Sequence, residues 1–415
     1  MAELIKTDVA IVGAGVIGLA IAFRLADGGR DVVVIDPNEP GSGASYGNAG
    51  TFAPYACAPV GNPDVLSNLP SLLVGADSPL SVRLAALPAL VPWLSRFLWQ
   101  SMPARARRNG HALAGLLKDA IPAWRELAEQ AQLADLLRYE GCLYLYRGKM
   151  PHDDGDWAAR LRNELGVRQQ RLSADEVARL EPALPRAAGG IFFPDAAHTV
   201  DPAALTGRLA SGAAAKGALF ERARVDRLQP QEGGRIHLVC GDRTIEAHSV
   251  VLAAGAWSRD LAAQAGDDIP LDTERGYHIE FAMDACPIKR PVSPVDLGFY
   301  LTPMAGRLRV AGTVELGGLE APINPNRIAL LERGVRGIFP DLGPVQSRWL
   351  GFRPSLPDSL PVIGPSRRLP NLIHAFGHGH LGLTLAGATS RVVAGLIDRR
   401  NDVPSLEAFR SGRFG

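Results

Sequence analysis

The chain is short of cysteine, of excess charge of either sign and of long apolar runs, and each shortage removes a class of function. Four cysteines occur in 415 residues, Cys57, Cys142, Cys240 and Cys286, far apart and without a C-x-x-C pair. Neither a zinc site nor a disulfide framework is indicated by such spacing, and reduced thiols in the cytoplasm fit it best. Lys and Arg number 44 against 43 Asp and Glu, a formal net charge of +1 with no long basic run, so nucleic acid is not an expected partner. The first residues lead straight into an apolar strand, leaving no room for a secretory signal. No internal repeat or low-complexity tract stands out.

One segment has the character of a lipid surface. Arg83 to Arg108, RLAALPALVPWLSRFLWQSMPARARR, sets Leu87, Leu90, Trp93, Leu94, Phe97, Leu98 and Trp99 among arginines. Its uncharged run, between Arg83 and Arg96, is well short of the roughly twenty residues that span a bilayer, and Pro88 and Pro92 interrupt it. Two readings stay open: a core helix with a solvated basic end, or peripheral contact with the inner face of the cell membrane.

What the chain does have is a complete nucleotide cradle. TDVAIVGAGVIGLAIAFRLADGGRDVVVID runs from Thr7 to Asp36 as strand, glycine turn, helix, strand and acid. Gly13, Gly15 and Gly18 stand in G-x-G-x-x-G spacing: the first permits a tight turn, the second close approach of a pyrophosphate, the third close helix packing. Ala14, Val16 and Ile17 complete the turn, whose free N–H groups at the helix start suit a diphosphate. Asp36, followed by Pro37, is placed to accept a ribose hydroxyl and would repel a 2′-phosphate.

A chain of this length suggests two domains. The loop 37–59 is rich in Gly, Ser, Ala and Asn, which suits close backbone approach to a ligand. Helices are expected over 111–137 and 157–165, and after Ser173, which forms a capping box with Glu176. Another runs from Pro202, capped by Asp201, to about Lys216. Strands are expected at 142–146, 220–228, 235–239 and 249–253, the last ending in Ala254, Gly255, Ala256 and Trp257, small residues that again permit close approach. From 271 to 313 the pattern is that of an antiparallel sheet, a helix follows at 326–339, and the strand LIHAF leads to a glycine-rich loop and a last helix. In that loop Gly377, Gly379 and Gly382 surround His378 and His380 at a helix start, where N–H groups can meet the negative charge of a reduced flavin.

The motifs VGAGVIGLA, GSGASYGNAG, VDPAAL, VVLAAGAWS, GFRPSLPDSLPVIG and GHGHLGLTLA, in this order and over essentially the whole chain, resemble the FAD-dependent amine oxidoreductases of the D-amino-acid oxidase and glycine oxidase superfamily. The resemblance is nearest to bacterial D-amino-acid dehydrogenases. It implies an α/β fold: a Rossmann-like, three-layer FAD-binding domain (1–85, 198–265 and 345–415) interleaved with an α+β substrate domain (86–197 and 266–344) whose mixed or antiparallel sheet roofs the flavin. It implies that Ser45, Asn48, Ala49 and Gly50 lie near the flavin or its phosphates, the Val225 backbone near the adenine, Ala254, Gly255 and Trp257 by the diphosphate, and Gly379, His380, Gly382, Leu383 and Thr384 by the pyrimidine end of the ring. Unlike the covalent-flavin relatives, the chain has no cysteine between Cys286 and the C-terminus, so non-covalent FAD is expected if that linkage requires a cysteine near the Arg353 segment.

Arg353, in the GFRPSLPDSLPVIG motif, matches the arginine that holds the substrate carboxylate in the resembling proteins, a task suited to a planar pair of donors; pairing with Asp358 is the structural alternative. Tyr300, in GFYLTP, resembles a tyrosine that contacts the same carboxylate or covers the site, a sheet-packed tyrosine being the alternative. Arg275 and His278, in RGYHIEF, are weaker candidates, and strand alternation puts them on opposite faces. The implied reaction is oxidation of the C–N bond of a D-amino acid, D-proline or hydroxy-D-proline included, by hydride transfer to flavin N5; the imine hydrolyses to a 2-oxo acid, and cyclic substrates give a pyrroline carboxylate. No second dinucleotide cradle appears, so oxygen, a quinone or another carrier takes the electrons. The competing readings are an N-methyl amine oxidase of the sarcosine or glycine type, a nicotinamide-dependent dehydrogenase, and a non-catalytic flavin-binding protein.

Overall fold

The structure, a computed structural model, describes residues 4–74, 78–151 and 156–414. Its first sheet grows from the cradle. Strand Leu4–Val12 lies between Val32–Asp36 and Arg243–Leu252, parallel to both, and Leu219–Arg222 extends the sheet beyond Val32–Asp36. Leu372–Phe376 joins Arg243–Leu252 in parallel, and the antiparallel pair Ile236–Cys240 and Arg227–Pro230 completes the other edge. Both faces are covered: Val9 and Ile11 enter a core with the helices Val16–Asp27 and Gly382–Ile397, while Ala10 and Val12 enter the core on the opposite face. A near-continuous apolar run is what a strand buried on both sides requires.

The second sheet is mixed and mainly antiparallel, ordered Ser347–Ser355, Asp272–Ala282, Arg307–Leu316, Phe299–Met304, Val292–Pro294, Cys142–Tyr146, Gly189–Phe193 and Gln170–Ser173. Its outer face carries Tyr277, Ile279, Phe281, Leu308 and Val310 against the helix Pro325–Arg336. The inner face is polar: Glu274, His278, Glu280 and Arg309 are buried on it.

Local signals held where the sequence chemistry was specific. The Ser173–Glu176 capping box forms on the helix Ala174–Leu180, and Asp201 caps Pro202–Ala215 through the Ala203 and Ala204 N–H groups. Where expectation leaned on periodicity alone it shifted. The single helix over 111–137 is instead two, Pro103–Leu117 and Ala120–Gln130, and the strand over 220–228 is split between two edges of the first sheet. Ser347–Ser355 and Leu80–Val82, assigned from sequence to the nucleotide domain, pair in the second sheet. The helices 103–117 and 120–130, assigned to the substrate domain, contribute to the core of the first sheet.

Candidate active site

A cavity of about 1200 Å³ runs between the two sheets, from the glycine turn to Arg353. At its first end the glycines do what their spacing predicts. Gly13 takes φ +109°, and a Cβ there would lie 2.4 Å from the Ala253 carbonyl oxygen; a Cβ on Gly18 would lie 1.9 Å from that of Gly13. Gly15 begins the helix Val16–Asp27. Gly13, Ala14, Gly15, Val16, Ile17, Asp36 and Pro37 line the cavity, while Gly18 is buried behind it and acts through packing. One Asp36 oxygen accepts the Ala14 N–H at 2.8 Å, so the carboxylate braces the turn that it borders. Val225, Ala254, Gly255 and Trp257 continue the wall, with Gly255 at φ +56° and Trp257 edge-on to Phe352.

The loop 42–50 is held from both sheets. Ser45 Oγ accepts the Val16 N–H at 2.8 Å, and the Asn48 amide closes a local turn by donating to the Ser45 carbonyl and accepting the Gly50 N–H. Ser45, Asn48 and Ala49 line the cavity, and Gly50 lies just behind them, against Met304 and Thr199. From the second sheet, fully buried Arg309 donates to the Tyr46 and Asn48 carbonyls, and Thr302 Oγ1 donates to that of Ala49. Glu280 neutralises Arg309 at 2.8 Å, and the paired arginines hold its carboxyl down to about 2 despite burial. Nothing in the local sequence marks Arg309 as the anchor of a loop some 260 residues away.

The other end of the cavity is the turn before the last long helix. Gly379, at φ +54°, and His380, Gly382, Leu383 and Thr384 line it. Thr384 Oγ1 accepts the Ala53 N–H and the Trp124 indole donates to the Leu383 carbonyl, so this helix start is tied to neighbours on two sides. His380 is open to the cavity yet enclosed by protein; burial and the nearby Arg353 charge lower its imidazole to about 4. Two helix N-termini, a carboxylate at the end of the second strand and glycines whose Cβ positions are forbidden fit a dinucleotide such as FAD. No cysteine lines this cavity.

Arg353 stands over the second sheet. Its guanidinium lies above Gly276, where an added Cβ would come within 2.4 Å of Cζ and Nη2, and Nη1 donates to the Thr313 carbonyl at 3.0 Å. Thr313 occupies the left-handed region at φ +58°, where the pairing of Asp272–Ala282 with Arg307–Leu316 slips register. The bulge re-aims a carbonyl toward the arginine, and a non-glycine residue held there is the kind of local strain that gathers at functional sites. Burial lowers Arg353 from its ordinary range and Glu274, directly across the strand pair, opposes the shift. The alternative partner Asp358 is engaged by Arg413 at 2.7 Å. Arg353 is therefore free to offer its remaining donors to a ligand in the cavity.

Arg275 is not in this site. It lies on the outer side of the sheet with no exposure, beside Glu315 at 2.9 Å, and donates to the carbonyls of Gly318, Ala321 and Pro322. Its guanidinium is committed to Glu315 and these carbonyls, and it does not line the cavity. His278 is on the inner face but beneath the 42–50 loop: Nδ1 hydrogen-bonds the Gly47 carbonyl at 3.0 Å and the ring stacks on Trp349. Burial lowers its imidazole to about 4, and it does not line the cavity. Tyr300 does line it, together with Tyr144, which the sequence did not single out; their hydroxyls are 3.0 Å apart. Gly276, Thr313 and Glu274 also carried no sequence signal, because each acquires its place only through strand pairing.

Comparison with known proteins agrees with this architecture. The family model described as FAD dependent oxidoreductase, DAO, matches residues 8–396. The chain is 37% identical to a D-amino-acid oxidase of Bradyrhizobium diazoefficiens, over 98% of both chains, and 33% identical to a D-amino acid dehydrogenase of Paramagnetospirillum magneticum with the same coverage. Among solved structures, glycine oxidase from Geobacillus kaustophilus superposes with a TM-score of 0.76 at 25% identity, covering 98% of this chain and 99% of that one. With a dinucleotide cavity that closes on a free arginine, and with the family match running almost from end to end, the chain belongs to the DAO family of FAD-dependent oxidoreductases.

Proposed function

We propose that the protein oxidises the C–N bond of D-amino acids, with Arg353 holding the substrate carboxylate. The observation that carries this reading is the Arg353 guanidinium: it faces the cavity, is positioned by the Thr313 carbonyl and has its Asp358 alternative occupied elsewhere. A planar, bidentate donor fixes a carboxylate in orientation as well as position, and orientation is the main contribution a protein makes to a reaction whose chemistry belongs to a cofactor. Bound FAD supplies the two-electron acceptor. The residues around it would do the rest: the cradle and Asp36 would hold the adenosine and diphosphate end, and the helix start at 379–384 would stabilise negative charge on the pyrimidine end. His380, neutral at physiological pH, adds no competing positive charge beside Arg353.

The same reading assigns the electrons to a quinone, with the enzyme resting on the inner face of the cell membrane. The helix Leu87–Gln100 supports this. Only Leu90 and Trp93 on it are buried, and Leu87, Val91, Leu98 and Trp99 are exposed, with Leu84 and Met102 beyond its ends. It is not a core helix. Between residues 78 and 118 there is no Asp or Glu, against Arg83, Arg96, Arg105, Arg107, Arg108 and Lys118; Arg83 and Arg107 pair with Glu315 and Glu164, and the other four carry the positive charge. An apolar face ringed by cations suits an anionic bilayer surface. Its inner side reaches the site, since the Trp93 indole donates to the Ser355 carbonyl, two residues from Arg353.

The test is anaerobic bleaching of the flavin against D- and L-amino acids, prolines and N-methyl glycine. Bleaching by D-amino acids, with fast recovery on a quinone and slow recovery in air, is expected. Bleaching by N-methyl glycine alone would reassign the enzyme to the demethylating amine oxidases, and none at all would leave a binding protein.

A further inference from the structure

The turn that follows the Arg353 strand, Leu356 to Leu360, touches three walls of the cavity. The Ser359 N–H closes it on the Leu356 carbonyl at 3.0 Å. Ser359 itself takes φ +62°, a left-handed conformation that a residue with a side chain keeps only where its surroundings impose it. Its hydroxyl accepts the Val60 N–H at 3.0 Å, and Val60 lines the cavity with Ala53 and Ala56. Leu356 fills the space that a Cβ on Gly377 would need, 2.4 Å from Cδ1, just before His378 and Gly379 enter the cavity wall. Arg353 stands three residues upstream of Leu356 on the third wall.

Pro357 and Pro361 have no N–H to give, so side chains fix this turn. Asp358, 4% exposed, accepts the Leu360 N–H at 3.1 Å from within it. From the C-terminal segment, Arg413 Nε donates to the other Asp358 oxygen at 2.7 Å, and Nη2 donates to the Leu360 carbonyl at 2.7 Å. One guanidinium thus grips the turn at its carboxylate and at its last carbonyl, a fork that lysine does not offer. The Arg413 side chain is only 13% exposed, so its loss would leave a buried carboxylate without a counter-ion. The segment itself is docked independently. Ser411 Oγ donates to Asp267 at 2.9 Å, where Arg367 and His374 also converge, and Leu406 and Phe409 enter the core of the first sheet.

Resting on the amino-acid reading just proposed, we infer that Arg413 is a positioning residue of the substrate site. Through Asp358 it locks the turn 356–360, and through Ser359 and Leu356 that turn sets the wall at Val60 and the seat of Gly377 beside the Arg353 strand. Arg413 does not line the cavity; it acts through the turn. The C-terminal segment is therefore part of the site's support, and the carboxylate that the sequence offered as a partner for Arg353 serves instead to hold its surroundings.

Kinetics of the holoenzyme test this by comparing Arg413→Gln with Ser411→Ala, which loosens the same segment at Asp267 and leaves Asp358 paired. Arg413→Gln is expected to keep FAD and to raise KM for the preferred amino acid about tenfold, with kcat changed less than about threefold, the pattern of lost binding. The calorimetric affinity for cyclopentane carboxylate, which the flavin does not oxidise, should fall by the same factor. Arg413→Lys keeps the charge and loses the fork; its KM should lie between wild type and Arg413→Gln, and it serves if Arg413→Gln fails to bind FAD. Ser411→Ala is expected to lower the melting temperature while KM stays at the wild-type value. An unchanged KM in the Arg413 variants, or an equal rise in Ser411→Ala, overturns the positioning role and leaves a docking contact. A wild-type flavin that no amino acid reduces would instead bring down the amino-acid reading and this inference with it.

Discussion

At the scale of single residues, the proposed substrate site rests on an arginine and on the missing side chain beneath it. Arg353→Lys keeps the charge and loses the paired geometry; kcat/KM for the preferred amino acid is expected to fall on the order of 100-fold, while FAD content stays unchanged because the arginine stands apart from the glycine turn. Steady-state kinetics beside the flavin absorbance ratio check both parts. Gly276→Ala adds one carbon to the space that the guanidinium occupies, 2.4 Å from Cζ. Gly276 pairs with Gly351 on one side, while on the other the register slips between Arg275 and Tyr277; the group in the way is the flexible end of the Arg353 side chain, which is what shifts. KM is expected to rise about tenfold or more, since a small misplacement of a positioning group is costly; an unchanged KM would show that Arg353 does not bind substrate from this position. That Arg353 lines the cavity was legible because its motif is specific. Arg275 was misread because a motif names a residue type without its direction, and here the side chain points to the outer face and Glu315.

At the scale of elements, the helix Leu87–Gln100 makes the sharpest claim. Its inner side packs by Trp93 on the Arg353 strand, and its outer side exposes Val91 at 54% and Trp99 at 55%, with Leu84 before it at 82%. The double variant Leu84→Ser, Trp99→Ser is expected to keep FAD and soluble dye-linked turnover, while co-sedimentation with vesicles of anionic phospholipid falls severalfold. Equal sedimentation of wild type and variant would remove this face from the membrane reading. The sequence left the segment between core and interface, since an apolar stripe reads the same whether protein or lipid covers it. The bulge at Thr313 was not legible at all, because a left-handed threonine has no local signature and exists only where two strands lose register.

For the whole molecule, three enclosed histidines set an acid limit. Burial lowers His198 and His278 to about 4 and His378 to about 3. Each binds a proton more readily in the unfolded chain, near 6.5, so the stability they confer is complete above that pH and is lost as pH falls toward the folded values. The melting temperature of the holoprotein is therefore expected to hold from pH 8 to about 6.5 and to decline toward pH 4.5, before most carboxylates titrate; a flat profile over that range would contradict the neutral burial of these rings. From sequence alone came the cradle, the order of the segments, the flavin loop and the Arg353 motif, because glycine spacing, caps and apolar runs act through neighbours in the chain. The inner face of the second sheet could not be read in that way. Arg309 bracing the 42–50 loop, Gly276 clearing space for Arg353 and three tyrosine hydroxyls meeting in the roof join residues about 80 to 260 positions apart, and such contacts come into being only when strands pair and two sheets close on one another.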